Sequence, residues 1–184
     1  MLFSKDENTR LLREKGIHTW ADVLVYVRHL PYGRNADRCR PELVILEGKG
    51  TCSSKHALLK QIADANGILG VKLLLGIYRM TAINTPGIGA HLANNGLEYL
   101  PEAHCYLSIN GERMDCTTAR SNIDKIAGDI LQELEIQPGQ VGDFKVKYHK
   151  NYLREWQQAH LPHKSFEELW AVRERCIEAL SFAS

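Results

Sequence analysis

Cys52 follows Gly48-Lys49-Gly50-Thr51 and stands at the head of a segment whose apolar residues recur at helical spacing. The first turn of a helix leaves backbone N–H groups unpaired and carries the positive end of the helix dipole, so it favours a thiolate over a thiol. The flanking glycines would let backbone approach a substrate carbonyl closely. A cysteine at a helix start also suits a structural role, and chemistry requires a base within its reach.

A hairpin supplies that base. His104 to Ile109 and Glu112 to Thr117 are separated by Asn110-Gly111, a strong two-residue hairpin signal. Such a turn pairs Ile109 with Glu112, and by extension Tyr106 with Asp115 and His104 with Thr117. One face then carries His104, Tyr106, Ser108, Arg113, Asp115 and Thr117, and the other Cys105, Leu107, Ile109, Met114 and Cys116. Asp115 becomes the same-face diagonal neighbour of His104, at a Cβ separation of about 7 Å that a hydrogen bond can bridge. Nucleophile, base and orienting acid are thus expected in the order Cys52, His104, Asp115, as thiol acyl transfer requires. An exposed ion pair on a solvated strand face is the plainer reading of His104 and Asp115.

Other reactive residues have simpler readings. His91 has no acid at a spacing that would orient it, and His56, one turn after Cys52, reads as a surface residue. Cys105 and Cys116 are expected as opposed, buried thiols rather than a disulfide. Cys39, beside Arg38 and Arg40, is the thiol that competes with Cys52 for reactivity. Lys145, Lys147, His149 and Lys150 read as a solvated basic segment, too weak for a nucleic-acid surface.

The elements that must position these groups follow from periodicity. Thr19 caps a helix carrying Trp20, Val23, Leu24, Val27 and Leu30 until Pro31 stops it, and a shorter helix spans Thr9 to Lys15. Leu43 to Leu46 is too short to assign. The helix of Cys52 runs over Ser53 to Ala65 with Asn66-Gly67 as its stop, and Val71 to Tyr78 reads as a buried strand. Thr85 to Gly96 reads as a loop, and the remainder as helical, with Ser165 and Glu168 boxing the start of a last helix that carries Leu169, Trp170, Cys176, Ile177 and Leu180. Helices before and after a small central sheet give an α+β domain over residues 1–184.

Composition narrows the partners. Apolar residues make up 44% and charged ones 24%, with a formal net charge of +1, so a broad polyanion-binding field is not expected. Charges near the N-terminus interrupt any signal-peptide core, no stretch is long enough to cross a bilayer, and the chain reads as cytoplasmic. The five cysteines lack zinc or redox spacing, so no metal or cofactor is expected.

Gly50-Thr51-Cys52, the helix ending in Asn66-Gly67-Ile68, His104-Cys105-Tyr106 and Asp115-Cys116-Thr117 together resemble the transglutaminase-like superfamily. The resemblance covers about residues 48–118, and Leu30-Pro31-Tyr32-Gly33-Arg34 also looks like bacterial members. It implies a papain-like α+β fold with the cysteine on a helix and the histidine and aspartate on adjacent strands, and cysteine peptidase, amidase or acyltransferase activity on a peptide or protein. Tyr106 satisfies the family's aromatic position, whereas Cys116 stands where a proline is common. The family's oxyanion glutamine has no counterpart, and Tyr32, Arg34, Asn35 and Tyr106 are the substrate-side candidates, beside the Cys52 backbone N–H. Hydrolysis is expected over amine transfer in a small chain without a visible calcium loop. A catalytically inactive peptide-binding module of the same fold is the alternative.

Overall fold

The computed structural model describes residues 1–182; residues 183 and 184, included in the single-domain expectation, lie outside the described residues. The fold is mixed α+β, a small four-stranded antiparallel sheet with helices around it. Helices α1 (Glu7–Glu14), α2 (Trp20–His29), α3 (Leu43–Leu46) and α4 (Cys52–Ala65) precede β1 (Val71–Met80). Then follow α5 (Gly89–Ala93), β2 (Leu100–Ile109), β3 (Glu112–Met114), α6 (Asp124–Ala127) and β4 (Ile130–Ile136). A 3-10 turn at Pro138–Val141 leads into α7 (Asp143–His160) and α8 (Phe166–Phe182).

The sheet order is β3-β2-β1-β4, with every pairing antiparallel. Odd-numbered residues Leu73, Leu75, Ile77, Cys105 and Leu107 face a core closed by Leu12, Val23, Val27, Leu58 and Ile62 from α1, α2 and α4. Even-numbered Leu74, Tyr78 and Tyr106 face a second core with Leu92, Leu153, Trp156, Leu169 and Val172. Both faces are therefore covered, and the plainer reading of a solvated hairpin face fails along β2, where Tyr106 is fully buried, although Arg113 on β3 stays exposed.

The hairpin turn has the expected form. Asn110 and Gly111 both take positive φ, 52° and 91°, as a two-residue turn of this hand requires, and Ile109 pairs with Glu112. The pairing stops at Leu107–Met114, so the expected Tyr106–Asp115 and His104–Thr117 pairs do not form. β3 ends because α4 competes for its amides: the Cys116 N–H donates to Nε2 of His56 at 2.8 Å instead of continuing the ladder. The edge of β2 beyond Leu107 is left free of β3, and the start of α4 meets it there.

Two further expectations change, and one segment left unassigned takes a form. The segment read as a loop contains α5, which buries Ile88 and Leu92. The remainder read as helical contains β4, whose Leu134 and Ile136 alternate into the first core as an edge strand beside β1. Leu43–Leu46 is one helical turn.

Candidate active site

α4 begins at Cys52. Thr51 caps it by accepting from the Ser54 N–H at 3.3 Å, while the Ser54 hydroxyl accepts from the Thr51 N–H at 3.0 Å, a reciprocal box that fixes the first turn. Gly50 is needed here, because a Cβ would fall 2.8 Å from Cγ of Lys55. A parallel bridge between Tyr32 and Gly50 ties the chain after Pro31 to this turn.

All eight residues from Cys52 to Leu59 are buried, so the polar ones among them must find partners. Lys55 donates to the carbonyls of Leu30 and Thr117 at 2.5 and 2.6 Å, holding the end of α2 and the chain after Asp115 against the helix. Burial pushes its amine down to about 8. His56 is not a surface residue; it is fully buried, donates from Nδ1 to the Cys52 carbonyl at 2.7 Å and accepts from the Cys116 amide. Burial holds it down at about 4, so it is a neutral structural link between helix and hairpin.

The structure brings Cys52, His104 and Asp115 together although the strand pairing meant to do so stops short. Nε2–H of His104 donates to Oδ2 of Asp115 at 2.9 Å, and the Thr117 N–H donates to Oδ1 at 2.8 Å. That leaves Nδ1 as the imidazole nitrogen that can serve Cys52, whose thiol pKa the His104 ring helps to lower. Tyr106 stacks on the His104 ring at 6.0 Å between centroids, and Tyr78 meets it edge-on at 6.2 Å. The Cys105 backbone, on the edge of β2 that β3 abandons, also helps to lower the Cys52 thiol pKa.

The electrostatics follow from these contacts. Burial works against a charged Cys52, but the Lys145 ammonium, the His104 ring and the hydrogen bonds reverse it and hold the thiol at about 5. Burial also pulls His104 down, yet Asp115 and the Cys52 thiolate outweigh it and raise the imidazole well above its ordinary 6.5. Burial opposes the Asp115 charge as well; His104 overcomes it, and the carboxyl lies far below the usual carboxylate range. Both shifts run in the direction that favours a thiolate–imidazolium pair. Burial pushes the thiols of Cys116 and Cys176 up to about 11 and also raises Cys105, whereas Cys39 is exposed.

Lys145 and His149 correct the reading of a solvated basic segment. Both are buried, one turn apart on α7, and continue into Leu153 and Trp156. Nζ of Lys145 donates to Oγ of Ser53 at 2.7 Å and to Sγ of Cys52 at 3.7 Å. The stripe 145-149-153-156 has helical spacing, and extending it backward from Leu153 and Trp156 would have placed Lys145 on the buried face. Nε2–H of His149 donates to the Pro101 carbonyl at 2.8 Å. Lys147 is exposed, as expected.

The substrate-side candidates divide. Asn35 lines the cavity, but its Nδ2 donates to Glu47 and to the Lys49 carbonyl, both at 3.0 Å, and its Oδ1 accepts from Ser54, so its amide braces the α4 cap. The Tyr106 hydroxyl donates to Glu133, away from Cys52. Arg34 pairs with Glu174 at 2.8 Å. Tyr32 alone of the four keeps a hydroxyl without a described protein partner beside the cavity, and burial raises its phenol so that it stays protonated.

Cys52, His104, Asp115 and Lys145 open on one cavity of about 750 Å³, within the size range of small-ligand and peptide clefts. Its walls include Tyr32, Tyr78, Glu102, Trp170 and Arg173. Glu102 is buried and receives two hydrogen bonds from Arg173, at 2.6 and 2.8 Å. Among the described residues, no group of three or more His, Cys, Asp or Glu side chains is placed to hold a metal ion, and no helix is long and apolar enough to cross a membrane. No family model, curated protein or solved structure significantly matches this chain.

Proposed function

We propose that this chain is a cysteine-dependent amide hydrolase of papain-like, transglutaminase-like design, acting on a peptide or isopeptide bond. One observation carries the reading: Cys52, with its thiol pKa lowered by Lys145 and His104, and the His104 imidazole hydrogen-bonded to the buried Asp115 carboxylate all line one substrate-sized cavity. A purely structural cysteine needs neither the lowered pKa nor the open cavity.

Cys52 Sγ attacks the carbonyl carbon, and the carbonyl π pair moves to oxygen. The imidazolium of His104 delivers its Nδ1 proton to the leaving amine as the C–N bond breaks, giving a thioester. Water then adds to the thioester, His104 takes its proton, and the acid leaves as sulfur recovers its charge. Asp115 holds the ring in the tautomer and orientation that both steps use.

The test is intact-mass analysis after acid quench of the protein mixed with peptide amides and esters. The expected result is an acyl adduct on Cys52, removed by hydroxylamine, with free acid as final product and no adduct in Cys52→Ala. Acyl groups delivered mainly to an added primary amine would move the reaction to amine transfer. Product formation that survives Cys52→Ala would refute the proposal.

A further inference from the structure

The relay of Cys52, His104 and Asp115 needs a side chain to receive charge at the substrate oxygen; Asn35, Tyr106 and Arg34 are engaged elsewhere, and Tyr32 offers only a neutral hydroxyl. Lys145 meets the requirement. The residue is 8% exposed, yet it lines the cavity and its ammonium lies 3.7 Å from the sulfur. An ammonium has three N–H donors. Among the described residues two are accounted for, one to Ser53 and one to Cys52, and the third has no acceptor. A buried cation with a free donor is costly unless it has work to do at that site.

Resting on the acyl-transfer reading above, we propose that Lys145 is a catalytic residue that supplies the oxyanion site. Its ammonium holds the Cys52 thiolate at rest and donates to the carbonyl oxygen as charge passes from sulfur to that oxygen. The S–C bond forms, the π pair settles on oxygen, and Lys145 remains protonated throughout. The proton for the leaving group comes from His104. The same ammonium receives the second oxyanion when water adds to the thioester. Because it sits between the two places where the charge resides, little reorganisation is needed as the charge moves. Burial disfavours the ammonium, but Cys105, Cys52 and Glu102 attract it more strongly, so it stays charged over the working range.

Two reactions of the same sulfur separate this role from mere tuning of the thiol. Acylation by p-nitrophenyl acetate passes through an oxyanion, whereas alkylation by iodoacetamide does not. Both rates are measured on the full chain for the parent, Lys145→Met, Lys145→Gln, Lys145→Arg and Tyr32→Phe, at a pH above each variant's own thiol midpoint, with circular dichroism to confirm folding. The ratio of acylation to alkylation should fall on the order of 10²-fold or more in Lys145→Met and Lys145→Gln, as for loss of one oxyanion donor. It should recover in part in Lys145→Arg and stay near the parent value in Tyr32→Phe. An unchanged ratio in the neutral variants, or a collapse in Tyr32→Phe instead, would overturn the assignment while leaving Cys52 chemistry intact. A parent whose Cys52 alkylates but never acylates would refute the acyl-transfer reading itself, and the role of Lys145 with it.

Discussion

The two faces of the sheet are built on different terms. Against α1, α2 and α4 the packing is mostly aliphatic: Leu12, Val23, Val27, Leu58, Ile62, Leu73 and Leu75 form the core, with the buried Lys55 at its margin bonded to the Leu30 and Thr117 carbonyls. Against α7 and α8 the apolar residues share the interior with Glu102, Lys145 and His149, and Arg173 reaches in from α8. The first face can pay for the second, because burying ions costs stability that aliphatic packing must offset. The difference teaches that stability and chemistry are separable here, and substitutions on the two sides should fail in different ways.

The largest effect should come from Asp115→Asn. An Asn amide oriented to donate to Nε2 would leave the proton on Nδ1, where it cannot accept from the thiol or from water, and turnover should fall on the order of 10⁴-fold, as in comparable triads. The melting temperature should change little by comparison. A variant retaining most of its activity would remove Asp115 from the mechanism.

Glu102→Gln tests the charged side for stability. Arg173 would lose the buried one of its two carboxylate partners and keep only the more exposed Glu174, at a cost in urea unfolding of up to about 3 kcal/mol, the low end for breaking a buried pair. The pH dependence follows from the sign of the shift. Burial opposes the Glu102 charge, but Arg173 overcomes it and holds the carboxyl at about 2, below its ordinary 4.5. Its contribution is therefore complete above about pH 4.5 and lost as pH falls toward 2, so the variant's stability should change less over that acid range than the parent's. Equal acid sensitivity in the two would contradict the pairing.

Leu58→Ala probes the aliphatic side. Leu58 is fully buried, and its truncation should cost about 2 to 5 kcal/mol while leaving the pH midpoint of Cys52 alkylation where it was. A shifted midpoint would mean that the two regions are coupled.

The parts of this design that could be read in the sequence are those where one local signal settles the answer. The caps of α2 and α4, the Asn110-Gly111 turn and the alternation along β1 depend on residues within a few positions of one another. The approach of Asp115 to His104 was legible only in part: the turn sets the register as far as Leu107–Met114, and the pairing expected to carry it to Asp115 stops there, although the two side chains still meet. What escaped depends on contacts distant in sequence. β3 stops at Met114 because His56, 60 residues upstream of Cys116, takes the amide that would have continued the ladder. Lys145 is buried because a thiolate and a serine 93 and 92 residues away receive its ammonium. Charged residue types suggest solvent, and only the partner reverses that inference.

The most direct test of the central claim is the pH dependence of iodoacetamide labelling at each of the five cysteines, followed by peptide mass mapping. Labelling of Cys52 should follow a midpoint near 5, and His104→Ala should move that midpoint upward because it removes an imidazolium and a hydrogen bond from the thiolate. Cys105, Cys116 and Cys176, buried with raised pKa values, should stay unlabelled near neutrality. A Cys52 that labels only above about pH 8, the range of an unperturbed thiol, or whose profile is unmoved by His104→Ala, would contradict the thiolate–imidazolium pair.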